Sequence, residues 1–476
     1  MLDLIVRGGR VVAPWGVGEW DIAVKGEQIV AVAQPGTLTQ DVARVIDAAG
    51  KIVVPGGVEP HTHCSWMIPT AAEEKLYTGG PEEVSRACLF GGTTTLVDFA
   101  YWEPGEDLFQ TLEGKEKIFK GNSYADYSYH CALYSTKGDL PFGVMEQIKE
   151  VIEAGYPSFK VWTTNTTPDR PRQMTDIGHL AEMMGHVAAN NGIMAVHAED
   201  EDIVMFMYKK LKHEGRVQRK YMHHVHNNMS EDISFRRVIR LAEWMGSALY
   251  LVHVSAREGV EAISEARGKG LPIYGETLHH YASFTHEDYE RPEGAIYHTY
   301  PSLKSEEDRK ALWNGLLGGA LSTLATDELF TSKANKMRGE TIGDTTGGSE
   351  GVEARMGIAY TEGVVKLGMS LERFVAITST NAARILGLYP RKGAIAPGSD
   401  ADLALIDPGI KKRLELSDFH GSDYSPWEGW EVQGWPVMTI LRGEVVVENG
   451  RLLGKLGDGK LLPRKIDSGV LARPMC

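Results

Sequence analysis

Long apolar runs are missing from this sequence: no stretch approaches the roughly 18–20 residues that a bilayer-spanning helix needs, which argues against a membrane partner. Cysteine is scarce as well. Only Cys64, Cys88, Cys131 and Cys476 occur, with no CxxC spacing, so reduced thiols are expected rather than a disulfide framework. Cys64 follows His63 directly, and its expected role is packing beside a site rather than ligation. There is no low-complexity tract, no internal repeat and no block of like charge. The formal net charge of -14 is spread along the 476 residues, which favours solubility and gives no reason to expect nucleic acid or an anionic surface as partner. The opening MLDLIVRGGRVVAP alternates apolar and polar residues like a strand, unlike a secretory leader. A cytoplasmic protein acting on a small molecule is the resulting expectation. No GxSxG elbow or comparable Cys–His pairing turns up, which disfavours nucleophilic catalysis.

What is present is a repeated strand-and-helix rhythm. Eight β-branched runs fall at 52–63, 93–100, 127–134, 158–162, 193–199, 248–255, 271–277 and 321–327, separated by helix-length segments such as DIGHLAEMMGHVAANNG. Near-continuously apolar strands alternating with amphipathic helices predict an α/β fold, a (β/α)8 TIM barrel. The two flanks, 1–50 and 393–450, instead carry short alternating strands with glycine turns, too few in either half for an independent core. They are expected to pair into a small β-sandwich built from both chain ends. The predicted organisation is therefore 1–54 and 386–454 for the sandwich, 55–385 for the barrel, and 455–476 as a mobile tail or oligomerisation arm.

In such a barrel, chemistry sits at the carboxyl ends of the strands. His61 and His63 end the first strand, and the alternation of strand side chains turns both the same way. Lys160 lies in SFKVW on the fourth, His197 ends the fifth, His253 the sixth, and Asp327 the eighth. Each has an ordinary alternative: a lone histidine at a strand end is more often structural, and a lone aspartate is often a helix cap. Lysine inside an apolar strand is harder to dismiss, because a buried ammonium is costly unless paired or neutralised. Joint placement on one barrel mouth outweighs the separate alternatives. Trp66, Met67, Tyr101, Trp102 and Trp162 fall in loops after the first, second and fourth strands, where they could form an apolar lid. Lys333, Lys336 and Arg338 read as a solvated basic loop, and HHVHNN at 223–228 as surface or subunit contact.

The motifs PGGVEPHTH (55–63), GGTTTLVDF (91–99), SFK (158–160), VHAED (196–200), LVHVS (251–255), GET (275–277), ATD (325–327), GVEARM (351–356), STNAARILGLYPRKGAIAPGSDADL (379–403) and GWEVQGWPVMTILRG (429–443) are distributed along most of the chain. Together they resemble the cyclic amidohydrolases of the amidohydrolase superfamily, nearest the dihydropyrimidinase and hydantoinase branch. That resemblance implies two divalent ions, zinc first with manganese, iron or cobalt as substitutes, bridged by a hydroxide and by Lys160 carboxylated to N6-carboxylysine. One ion would take His61, His63, Lys160 and Asp327; the other, Lys160, His197 and His253. Asp327 would be the catalytic acid and base, and ring opening of a hydantoin or dihydropyrimidine would yield an N-carbamoyl amino acid. A homotetramer or homodimer is implied too.

The sequence departs from the branch around the ring. A tyrosine that the branch carries five positions after the lysine is Asn165, the first serine of its SPPLR segment falls at Tyr300, an asparagine ahead of GVEAR falls at Gly347, and the histidine after the aspartate is Glu328. Asn165, Tyr300, Trp66 and Trp162 are thus the expected substrate contacts, and another ring, such as allantoin, a cyclic imide or a heteroaromatic lactam, is the alternative substrate. A non-catalytic assembly relative is the alternative from another class, disfavoured by the intact ligand set.

Overall fold

The computed structural model describes residues 1–68, 76–133, 140–168 and 174–476. Tyr134, the last residue of the third expected strand, lies outside them. Eight parallel strands run in chain order: Gly57–Thr62, Thr93–Tyr101, Asp126–Ala132, Ser158–Trp162, Ile193–His197, Leu249–Leu251, Ile273–Leu278 and Thr323–Ala325. Nearly every residue in them is buried, since helices cover the outside and side chains fill the inside; this is why they read as continuous apolar runs. The ring closes through Glu328, whose N–H donates to the His61 carbonyl while its own carbonyl accepts from His63 N–H. Helix Ile177–Ala189 illustrates the outer layer: Leu180, Met183, Met184 and Val187 are buried at helical spacing, and the Asp176 carboxylate caps the first turn through His179 N–H.

The run at 52–63 is two strands, not one. Ile52–Pro55 pairs antiparallel with the start of Leu403–Arg413 in the end sheet, whereas Gly57–Thr62 opens the barrel. The junction needs glycine, because a Cβ on Gly56 would lie 2.2 Å from Thr94 Oγ1. Both chain ends form a nine-stranded, mostly antiparallel sheet whose core includes Val6, Ile22, Val53, Leu403 and Ile440. The expectation for 455–476 needs correction. Leu462, Ile466 and Val470 are buried against Val58, Ile193 and Tyr250 of the barrel, and Arg464 donates to Ser128, Tyr129, Ser158 and Leu386. The segment is a plug at the strand-start end of the barrel, held by apolar burial, rather than a free arm. Among the described residues no helix is long and apolar enough to cross a membrane.

Candidate metal centre

At the opposite mouth one cavity is lined by His61, His63, Lys160, His197, His253 and Asp327, together with Trp66, Tyr101, Trp162 and Tyr300. His61, His63 and Asp327 offer ligand atoms within 4.8 Å of one another. Asp327 Oδ1 lies 3.0 Å from His61 Nε2 and 2.8 Å from His63 Nε2. Burial favours a neutral carboxyl, yet the two imidazoles outweigh it and hold Asp327 well below the ordinary carboxylate range. Asp327 and His253 both have positive φ, 51° and 42°. Non-glycine residues adopt that backbone at a cost, and the two carry it at the ends of strands that face the cavity.

The imidazoles are oriented from behind by buried carboxylates. Glu276 Oε1 is 2.7 Å from His61 Nδ1 and also accepts His253 N–H, while Glu276 Oε2 accepts the Tyr250 hydroxyl. Burial opposes charge on His61, but Glu276 and Asp327 prevail and carry it up to about 9. Glu199 Oε2 is 2.9 Å from His197 Nε2, and Glu199 Oε1 is 2.9 Å from His226 Nδ1. Burial pushes His197 and His253 down, toward the neutral imidazole that ligates metals. Lys160 has its Nζ 5.5 Å from the Phe99 ring centre and 5.2 Å from that of Trp162. Burial lowers it to about 7, though Asp327 and Glu276 pull the other way. A buried set of imidazoles, one carboxylate and one readily neutralised amine fits divalent cations chemically.

Glu276 and Glu199 were absent from the sequence-derived set, although both stand in motifs already singled out, GET and VHAED. His226 corrects the reading of HHVHNN: it is fully buried and bonded to Glu199 and Tyr208, while His223 stacks on His286 at 4.2 Å between ring centres. Lys336 corrects the solvated-loop reading, being fully buried, whereas Lys333 is half-buried and pairs with Glu293. Cys64 is buried, and burial keeps its thiol protonated.

Around the cavity, Tyr101 stacks between Trp66 and Trp162, with ring centres 5.7 and 6.0 Å apart, and its hydroxyl is 2.8 Å from His63 Nδ1. Met67 is exposed, and Trp102 is buried with its indole N–H on the Glu106 carbonyl, so neither joins this wall. Tyr300 lines the cavity in contact with Gly347, where a Cβ would sit 2.3 Å from the Tyr300 ring. Asn165 does not line it. Its side-chain amide donates at 2.7 Å to Glu201, at the start of the helix after the fifth strand, and its carbonyl oxygen accepts Met174 N–H.

A closed parallel barrel with this donor set at the carboxyl ends of its strands has the architecture of a barrel hydrolase. The amidohydrolase family model matches residues 52–446, and the chain belongs to that family. It is 34% identical to the D-hydantoinase of Geobacillus stearothermophilus over 98% of each chain, and 33% identical to the D-hydantoinase of Ralstonia pickettii over 98% of this chain and 99% of that one. The crystal structure of dihydropyrimidinase from Brevibacillus agri is similar with a TM-score of 0.89 and 32% identity, covering 98% of this chain and 99% of that chain.

Proposed function

We propose that this chain is a binuclear metal-dependent cyclic amidase, opening a hydantoin or dihydropyrimidine-type ring to the N-carbamoyl amino acid. The observation that carries the reading is the meeting of His61, His63, Lys160, His197, His253 and Asp327 at one buried mouth, in a chain whose full-length relatives are named hydantoinases. His61, His63, Lys160 and Asp327 would hold one ion, and Lys160, His197 and His253 the other, with zinc the best match to imidazole and carboxylate donors and manganese, iron or cobalt able to use them. When bound, the ions supply Lewis acidity to the ring carbonyl and an acidified water.

The chain's own groups do the rest. Lys160, buried and pushed down to about 7, has the free amine that adds to CO2; a C–N bond forms, one proton leaves, and a carbamate with two oxygens results. Asp327 is suited to take a proton from the attacking water and deliver it to the departing ring nitrogen. Glu276 and Glu199 hold the imidazoles in one tautomer and orientation. Trp66, Tyr101 and Trp162 offer a stacked wall for a planar or aryl substituent.

The withdrawn Asn165 and the presence of Tyr300 favour a second substrate reading, another ring such as allantoin, a cyclic imide or a heteroaromatic lactam. Exposed Phe206, Met229, Ile233 and Trp244, on two helices that touch each other, support self-association as a homodimer or homotetramer. A ring-opening screen with defined metal loading tests the function. Turnover of hydantoins or dihydropyrimidines supports the first reading, and turnover of only the other rings supports the second. Protein purified without metal and without metal-restored activity on any ring would remove both.

A further inference from the structure

Lys336 is fully buried and outside the set that lines the cavity. Its Nζ donates to three backbone carbonyls: His298 at 2.5 Å, Thr346 at 3.0 Å, and Gly348. Three acceptors match the three N–H groups of an ammonium; a neutral amine would turn its lone pair on one of the carbonyls. No carboxylate forms an ion pair with it among the described residues, and burial together with the Arg219 guanidinium pushes its pKa down. A buried cation satisfied only by backbone dipoles is an expensive way to tie two loops together when an apolar contact would serve.

The tied carbonyls are adjacent to residues that face the metal cluster. Thr299 and Tyr300 line the cavity from one segment, Gly347 and Gly348 from the other. In a trans peptide the C=O and the following N–H point in opposite directions. Holding the His298 and Thr346 carbonyls on Lys336 therefore turns the Thr299 and Gly347 N–H groups away from it. Neither N–H has a hydrogen-bond partner among the described residues. We propose that Lys336 is a positioning residue that clamps segments 298–300 and 346–348 so that the Thr299 and Gly347 amides stay aimed at the cavity, where they bind a carbonyl oxygen of the cyclic substrate. Its role in substrate binding rests on the cyclic-amidase reading above.

Lys336→Met keeps the length and removes the charge and donors; Lys336→Gln keeps two donors on a shorter stem. In metal-loaded full-length protein, Lys336→Met is expected to raise KM for the ring about tenfold, with kcat changed less than about threefold and metal content unchanged. Lys336→Gln is expected to fall between it and wild type. Hydrogen exchange at residues 298–300 and 346–348 is expected to quicken about tenfold or more in Lys336→Met, with the strand ends carrying the histidines unaffected. Wild-type exchange, a proportional loss of kcat and metal, or failure of both variants to give folded protein would each overturn the assignment. Exchange reads the clamp whatever ring is turned over. A wild type inactive on every ring, with exchange altered as expected, therefore sinks the activity and leaves the clamp standing.

Discussion

Asp327 Oδ1 lies 2.8 Å from Nε2 of His63 across 264 residues of sequence, and the same oxygen is 3.0 Å from His61 Nε2. One carboxylate thus ties the last barrel strand to the first at the point where the ring closes. Asp327→Asn keeps the shape but removes the base, and is expected to lower kcat by about 10²–10⁴ while the protein still folds. Steady-state kinetics with metal analysis checks this; near wild-type turnover would remove Asp327 from the chemistry.

Lys160 is expected to be the link between two ions. Lys160→Ala should lower activity on the order of a thousandfold and reduce bound metal below the wild-type stoichiometry. Wild type exchanged into 13C-bicarbonate should show a carbamate carbon by NMR that the variant lacks. Equal metal content in both proteins, with no carbamate signal, would refute the bridge.

The stacked Trp66, Tyr101 and Trp162 rings predict selectivity for an aryl substituent. Trp66→Ala and Trp162→Ala are expected to cost about tenfold in kcat/KM on a phenyl-substituted ring and much less on the unsubstituted one. Equal losses on both substrates would count against a substituent wall.

Arg464 reaches four groups from inside the barrel end, and burial lowers its pKa to about 9. Arg464→Ala should destabilise the fold by about 3–5 kcal/mol, by leaving buried acceptors without a donor. Truncation near residue 455 should give insoluble or poorly folded protein. A truncated chain that melts like the full one would show the plug to be dispensable.

Glu231 holds the loop after the sixth strand by accepting from the Ser255 hydroxyl and from Ser255 and Ala256 N–H. Burial raises it to about 7, with Lys304 and these hydrogen bonds opposing. The fold therefore prefers its protonated form. This contribution to stability is complete below about pH 4.5 and is lost as pH rises through 7, at most about 3 kcal/mol. Glu231→Gln mimics the protonated carboxyl and should flatten that part of the stability profile between pH 5 and 8. Identical denaturation profiles would refute the assignment.

Much of this was legible locally. Strand alternation by itself turns His61 and His63 to one side, and a lysine inside SFKVW announces an unusual buried charge. Apolar runs separated by amphipathic segments specify a parallel barrel, because only strands covered on both faces read that way. The partners of those residues were a different matter. Glu199 and His226 are 27 residues apart, and His61 and Glu276 are 215 apart, so their pairing depends on how strands are ordered around the ring. Local pattern carries no information about that order. Lys336 in SKANKMRG and the polar stretch from residue 455 had the composition of surface, and they are buried because backbone carbonyls and the open barrel end supply partners that composition does not record. Asn165 shows the converse: its position after Lys160 suggested the cavity, and the Glu201 carboxylate, at the start of the helix after the fifth strand, holds its side chain instead. The sequence alone determined the barrel, the paired end segments and the donor residues, since these follow from periodicity and residue type. Only the tertiary structure decided which carboxylate orients which imidazole, what plugs the far end and which loops face the ring, because those depend on contacts between segments that are remote in the chain.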